Sequence, residues 1–308
     1  MSTILVAGGA GFIGSNFVEY IKAKRPQDRV IVFDKLTYAA TRPEGVIKGD
    51  ISNAQQVASV FKKYKPDYLV NFAAETHVDR SVHGDTSVFV RTNVFGVHAL
   101  LEACRTHGIK KYVQVSTDEV YGDVEVSSKK TFSEESKLSP SSPYSSTKAS
   151  GDLLCLSYFR SFGVPVVVTR GSNTYGPYQF PEKIIPLFIK NLITNKKVPV
   201  YGDGKNTRDW LYVMDHVRGI ELALLKGKAG EIYNISAEEY LKNIDLTKKI
   251  IKFLGKDEKS IGYVTDRPGH DRKYAPDSTK IRRELGWKPK AKFDEALRET
   301  IEWYKENI

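Results

Sequence analysis

Two short stretches carry side chains whose types and spacing suit proton transfer. In Ser116-Thr117-Asp118-Glu119-Val120-Tyr121-Gly122 a hydroxyl precedes two adjacent carboxylic acids. Adjacent carboxylates resist double ionisation, so one environment can keep one protonated and the other charged. An acid and a base then coexist at one pH. Taken alone, the pair reads more simply as a solvated acidic turn. In Tyr144-Ser145-Ser146-Thr147-Lys148 a phenol and an ammonium stand at i and i+4, on one face of a helix. An unperturbed phenol, with a pKa of about 10, is no base near neutrality. A neighbouring positive charge favours the phenolate. Such a pair is common on surface helices, so its meaning depends on what positions it.

The positioning elements are legible. Lys111-Tyr112-Val113-Gln114-Val115 is a strand-like run, which puts Thr117, Asp118 and Glu119 where the chain leaves a sheet. Ser139 to Pro143 is a loop by composition, and a helix runs from the Tyr144 segment to about Phe162. At the start of the chain, Thr3 to Ala7 is a short strand. Gly8-Gly9-Ala10-Gly11-Phe12-Ile13-Gly14 follows, and then Phe17, Val18 and Ile21 recur at helical spacing. A strand, a Gly8-x-x-Gly11-x-x-Gly14 turn and a helix form a dinucleotide cradle. Glycines admit the pyrophosphate close to the backbone, and the helix N-terminus offers N–H groups to it. A second strand, Arg29 to Phe33, ends at Asp34. A carboxylate there accepts ribose hydroxyls and repels a 2′-phosphate, which favours NAD over NADP. A third strand from about Val46 ends at Gly49-Asp50-Ile51. A fourth, from Tyr68, ends in Ala73 and Ala74, small enough to let a cofactor approach. Helices over Gln55–Tyr64 and Val88–His107 alternate with these strands. The pattern predicts an α/β fold, a Rossmann-type doubly wound parallel sheet, with ligands at the carboxyl ends of its strands.

Composition narrows the function classes. The 308 residues are 41% hydrophobic and 27% charged, as in ordinary globular proteins. The net charge of +10 comes from scattered lysine pairs such as Lys62-Lys63 and Lys196-Lys197. No basic segment is interleaved with aromatics, so no nucleic-acid partner is expected. No run approaches the ~20 apolar residues of a membrane span. The opening strand lacks a basic-then-apolar leader pattern. Cys104 and Cys155 lie in helical apolar stripes and read as reduced, buried thiols. The expected location is the cytoplasm. The six histidines lack metal-ligand spacing, so no metal site is expected.

The chain resembles the dTDP-glucose 4,6-dehydratase family of extended short-chain dehydrogenase/reductases. The segments that carry the resemblance are Gly8–Gly14, Asp34–Ala39, Asn71–Ser81, Ser116–Gly122 and Pro143–Ala149, followed by Arg170–Pro186, Tyr201–His216 and Asp266–Asp271. Sugar-nucleotide epimerases share the glycine and Tyr/Lys motifs but usually lack the Asp-Glu pair. The resemblance implies NAD and a nucleotide-sugar substrate, dTDP-glucose, losing water. Thr117, Asp118, Glu119, Tyr144 and Lys148 would be catalytic. Cofactor contacts would come from Gly8, Gly11, Phe12, Ile13, Gly14, Asp34, Lys35, Leu36, Thr37, Asp50, Ile51, Ala73, Ala74, Glu75 and Thr92, with Tyr144 and Lys148. Substrate contacts would come from Thr76, Thr117, Asn173, Lys183, Ile184, Pro199, Tyr201, Asn243 and His270. Arg208 and Arg267 suit a diphosphate, since guanidinium pairs with phosphate in a forked geometry. Three stretches depart from the family: Thr41–Lys48 and Asp123–Leu138 are short, and Ile235–Glu239 replaces a glycine-containing segment.

After the strand Val164–Arg170, strict alternation stops and proline, glycine and aromatics rise. Two discontinuous domains are expected. Residues 1–172 plus about 206–236 would bind NAD. About 173–205 plus 237–308 would form a smaller mixed α/β substrate domain. The helices 93–106 and 145–162 carry apolar residues on a second face (Val94, Val97, Leu100, Leu101; Leu153, Leu154, Leu156, Phe159), and the resemblance implies a homodimer there. Rival readings are a UDP-glucose 4,6-dehydratase, a sugar-nucleotide 4-epimerase and an NAD-binding regulatory protein.

Overall fold

The structure, a computed structural model, describes residues 1–42, 44–266 and 270–307. Apolar side chains alternate between two cores. In β1 (Thr3–Ala7), Ile4 and Val6 enter one core while Leu5 and Ala7 enter the other. After β2 (Arg29–Asp34), β3 (Ile47–Lys48) and β4 (Tyr68–Asn71), the split recurs in β5 (Lys111–Thr117) and β6 (Val166–Gly171). Val113, Val115 and Val167 face the first core; Tyr112, Val166 and Val168 face the second. A period of two with both faces apolar requires helices on both sides. Helices Phe12–Lys24 and Val213–Lys226 cover the first face, and Ala54–Tyr64, Val97–His107 and Pro143–Phe162 cover the second.

The remaining strands are β7 (Asn173–Tyr175), β8 (Val198–Tyr201), β9 (Thr207–Tyr212), β10 (Ile232–Ile235), β11 (Tyr240–Lys242) and β12 (Ile261–Val264). Seven strands pair in parallel in the order β10-β6-β5-β4-β1-β2-β3. The order reverses between β1 and β4, which opens a crevice at their carboxyl ends. The Rossmann-type sheet is as expected, although β3 is only Ile47–Lys48. Beside the large sheet, β9 pairs with β7 in parallel and with β11 antiparallel, while β8 and β12 form a parallel pair. Helix Ile184–Ile193 and the terminal helix Phe293–Asn307 share the first core with the large sheet, through Phe188, Leu192, Leu297 and Ile301.

The expected helix Val88–His107 is one helical run in three parts. Arg91–Gly96 has π geometry between α-helical Ser87–Val90 and Val97–His107. The wide turn brings Asn93 against the loop after β4. Its Nδ2 donates to the Glu75 carbonyl and to Thr147 Oγ1, both at 3.0 Å, and its Oδ1 accepts from the Glu75 N–H at 2.9 Å. The second apolar face differs in its members. Val97, Leu100 and Leu101 are in the core, because this helix is pressed between two neighbours. Val90, Phe95, Leu153 and Phe162 are the large exposed side chains on these helices. Among the described residues no helix is long and apolar enough to cross a membrane.

Candidate active site

The glycine turn is shaped by contacts that exclude any side chain. Gly8 has φ +73°, and a Cβ there would stand 2.3 Å from the Ala73 nitrogen. A Cβ on Gly14 would stand 2.2 Å from the Gly8 carbonyl oxygen. Gly11 caps helix Phe12–Lys24 with no side-chain hydrogen bond, so the first N–H groups of the helix are left for an anion. At the end of β2, Asp34 Oδ2 accepts from the Ala10 N–H at 3.0 Å and Oδ1 from the Leu36 N–H at 2.8 Å. Lys35 reaches across to Asp50 at 2.8 Å. Gly8, Gly11, Gly14, Asp34, Lys35 and Asp50 line one end of a cleft of about 320 Å³. A shape that only glycine fits, an uncapped helix start and a carboxylate at the second strand suit a dinucleotide such as NAD.

The other end of the cleft is built by β5. Neighbours on a strand point to opposite faces, but the chain leaves strand geometry at Asp118 and forms a 3₁₀ turn, Asp118–Tyr121. Thr117 caps that turn: its Oγ1 accepts from the Glu119 N–H at 3.2 Å and donates to Asp118 Oδ1 at 3.3 Å. Both carboxyls therefore line the same cleft. Asp118 is 3% exposed, and its Oδ2 has no hydrogen-bond partner. Burial pushes its pKa well above the usual carboxylate range, and the Glu119 charge adds to this; Arg208 and Thr117 only partly offset them. Of the two acids, Asp118 is therefore the one whose surroundings favour the protonated form; Glu119 beside it is only partly buried.

Tyr144 and Lys148 enter from helix Pro143–Phe162. The helix starts sharply because Ser142 and Ser145 form a reciprocal capping box ahead of Pro143. The protein's own groups favour a neutral Tyr144 phenol: burial acts first and Glu119 second, with the Thr117 hydroxyl opposing. The expected phenolate draws on the positive nicotinamide ring as well as on Lys148, one helical turn away on the same helix. Lys148 Nζ donates to the Val115 carbonyl at 2.7 Å, and burial lowers its pKa while Asp152 raises it.

Of the expected site residues, Thr37, Ile51, Thr76, Thr92, Asn173 and Lys183 also line the cleft. Leu36, Ile184, Pro199, Tyr201, Arg208, Asn243 and His270 do not. Arg208 is buried; it donates to the carbonyls of Thr207 (2.9 Å) and Asp271 (2.8 Å) and lies 4.4 Å from the Tyr274 ring centroid. His270 meets Asp266 at 2.6 Å and Tyr201 edge-on. Arg267 lies outside the described residues.

Several lining residues were not singled out in the sequence. Tyr38 donates to Glu182 Oε2 at 3.1 Å and meets Phe180 edge-on, while Lys183 Nζ donates to the Thr76 carbonyl at 3.0 Å. These contacts strap three distant loops together at the cleft. Gln179 also lines it. So does His216, whose pKa burial lowers to about 3; its Nδ1 lies 2.8 Å from Thr174 Oγ1. Tyr38 and the Gln179–Glu182 stretch had drawn notice only as motifs, whereas Lys183 was an expected substrate contact. A histidine on the inner face of helix Val213–Lys226 was the available signal for His216.

Comparison with known proteins agrees with this site. Residues 5–300 match the family model described as GDP-mannose 4,6 dehydratase. A dTDP-glucose 4,6-dehydratase of Streptomyces niveus is 46% identical over 318 residues, covering 99% of this chain and 93% of that protein. The dTDP-glucose 4,6-dehydratase of Streptomyces venezuelae, solved with NAD and dTDP bound, superposes with a TM-score of 0.94 at 45% identity, covering 99% of this chain and 97% of the other. A UDP-glucose 4-epimerase of Thermotoga maritima has a TM-score of 0.93 but 31% identity, each chain being 99% covered. The chain belongs to the family of that model, GDP-mannose 4,6 dehydratase, with dTDP-glucose 4,6-dehydratases among its relatives.

Proposed function

We propose that the protein is a lyase that converts dTDP-glucose into dTDP-4-keto-6-deoxyglucose and water. The observation that carries this reading is the 3₁₀ turn that presents a buried Asp118, whose pKa burial raises, and a neighbouring Glu119 to the cleft that Tyr144 also lines. Gly8, Gly11, Gly14, Asp34 and Lys148 hold NAD. Bound NAD supplies a reversible two-electron acceptor that oxidises C4 and later reduces C6 in the same turnover. Tyr144, as the phenolate that the positive nicotinamide ring and Lys148 would favour, takes the proton of the C4 hydroxyl, and Thr117 Oγ1 hydrogen-bonds that oxygen. The new ketone acidifies C5–H, and Glu119 removes that proton. Asp118 gives its proton to the C6 hydroxyl, which leaves as water. Glu119 returns a proton to C5, and the proton taken by Tyr144 replaces the one Asp118 gave. An epimerase has no use for the Asp118 proton, which disfavours that rival.

Asn173 and Lys183 reach the sugar nucleotide from the cap side, and Arg208 and Arg267 serve its diphosphate. Residues 1–172 plus about 206–236 act as the NAD-binding part and the rest as the substrate part. Two copies pair through helices 93–106 and 145–162, covering Phe95, Leu153 and Phe162, and the protein works in the cytoplasm. Product analysis in deuterated water with dTDP-glucose, UDP-glucose and GDP-mannose tests the reading. A deoxygenated ketone with deuterium at C5, formed fastest from dTDP-glucose, is the expected result. Epimerised sugar that retains its C6 oxygen would overturn it.

A further inference from the structure

Behind the cleft, four buried side chains form one chain of contacts. Asp152 stands on helix Pro143–Phe162, one turn past Lys148 and two past Tyr144. Arg170 on β6 donates from Nε to Asp152 Oδ2 at 2.9 Å and from Nη1 to the Tyr121 hydroxyl at 2.9 Å. That hydroxyl donates in turn to Asn234 Oδ1 on β10 at 2.7 Å. Tyr121 closes the 3₁₀ turn that Asp118 opens, and its ring stacks on Phe132 at 5.2 Å and 7°. Arg170 and Asp152 are 2% and 0% exposed in their side chains. A buried ion pair contributes little net stability, because desolvation offsets the attraction. A guanidinium fork that binds two groups does, however, fix their relative position.

The proposed chemistry is divided between two elements. Tyr144 and Lys148 ride on the long helix; Asp118 and Glu119 ride on a turn of four residues. Arg170 pairs in register with Ser116, so it stands at the point where β5 gives way to that turn. We propose that Asp152, Arg170 and Tyr121 are positioning residues: they clamp the turn to the helix so that the oxidising and the eliminating groups address one hexose. This inference rests on the dehydratase reading above. None of the three residues lines the cleft. Its loss should harm most the step that needs both acids of the turn, and harm less the C4 oxidation, which uses Tyr144 and Lys148 on the helix and only Thr117 from the end of β5.

Tyr121→Phe keeps the stacked ring and deletes only the hydroxyl; Asp152→Asn removes the charge without changing shape. Purified wild type and both variants are compared for NAD content, dTDP affinity, thermal midpoint, the rate of C4 oxidation and the rate of water loss from dTDP-glucose. In Tyr121→Phe, NAD content and dTDP affinity should stay within about 2-fold, C4 oxidation within about 3-fold, and water loss should slow ~10- to 100-fold. The 4-keto hexose that retains its C6 oxygen should accumulate. Equal slowing of both steps, or none, overturns the clamp even if Asp152→Asn fails to fold. A wild type that forms no deoxygenated ketone overturns the dehydratase reading itself, whereas a working wild type with an unaffected Tyr121→Phe overturns only the clamp.

Discussion

The two ends of the cleft work by opposite means. At the glycine turn, side chains are missing where a Cβ would collide at 2.2–2.3 Å, and backbone and shape do the binding. At the end of β5, ionisable side chains crowd into a largely buried space, and in the proposed reaction their protonation does the chemistry. One region is defined by what will not fit, the other by which charge will not form. Changes of volume should therefore break the first and changes of charge the second.

The largest effect is expected at the charged end. Glu119→Gln keeps the shape and removes the base, so the rate of water loss from dTDP-glucose should fall ~1,000-fold, within the range for a lost proton-transfer group. Retained turnover would shift the base role elsewhere. At the other end, Gly14→Ala adds one uncharged methyl against the Gly8 carbonyl. Calorimetric titration should show NAD affinity lower by ~10- to 100-fold, corresponding to ~1.4–3 kcal/mol of misfit. Unchanged affinity would mean that the turn's shape does not govern binding.

Asp118→Asn sharpens the comparison through pH. The folded carboxyl titrates well above its reference value of 3.8. Its contribution to stability is therefore full below that value and is lost as pH rises toward the folded pKa. In that window the unfolded chain ionises while the folded chain does not, which lowers wild-type stability by up to ~1.4 kcal/mol per pH unit. Asparagine lacks this term. The thermal midpoint of Asp118→Asn should gain on wild type as pH rises above the carboxyl's reference value of 3.8, while water loss fails. A difference independent of pH would contradict the raised pKa. The smallest effect belongs to the strap between the ends: Tyr38→Phe removes one half-exposed hydrogen bond, and NAD should leave about 2- to 5-fold faster by stopped-flow displacement.

The sequence revealed what depends on local spacing. Gly8, Gly11 and Gly14 sit between a strand and a helix, and Tyr144 and Lys148 lie four apart, so both motifs were readable from periodicity. The parallel sheet followed from alternating strands and helices, and the Asp118-Glu119 pair stood out by type. What stayed hidden depends on distant partners. The burial that raises the Asp118 pKa is reinforced by Asp209 and opposed by Arg208, both some ninety positions away. The strap joins Tyr38 to Glu182, and the clamp joins Tyr121 to Arg170 and Asn234. Leu100 and Leu101 looked like an outer face because helical periodicity cannot tell two buried sides from one buried and one exposed. The turn at Asp118 was legible only as a question, since strand geometry would have sent the two acids to opposite faces.

The central claim is that one of two adjacent acids keeps its proton at neutral pH. Infrared difference spectroscopy of wild type against Asp118→Asn at pH 7 addresses it directly. The account predicts that the substitution removes a protonated-carboxyl C=O band. Loss of an ionised-carboxylate band instead, with no change in the protonated region, would contradict it.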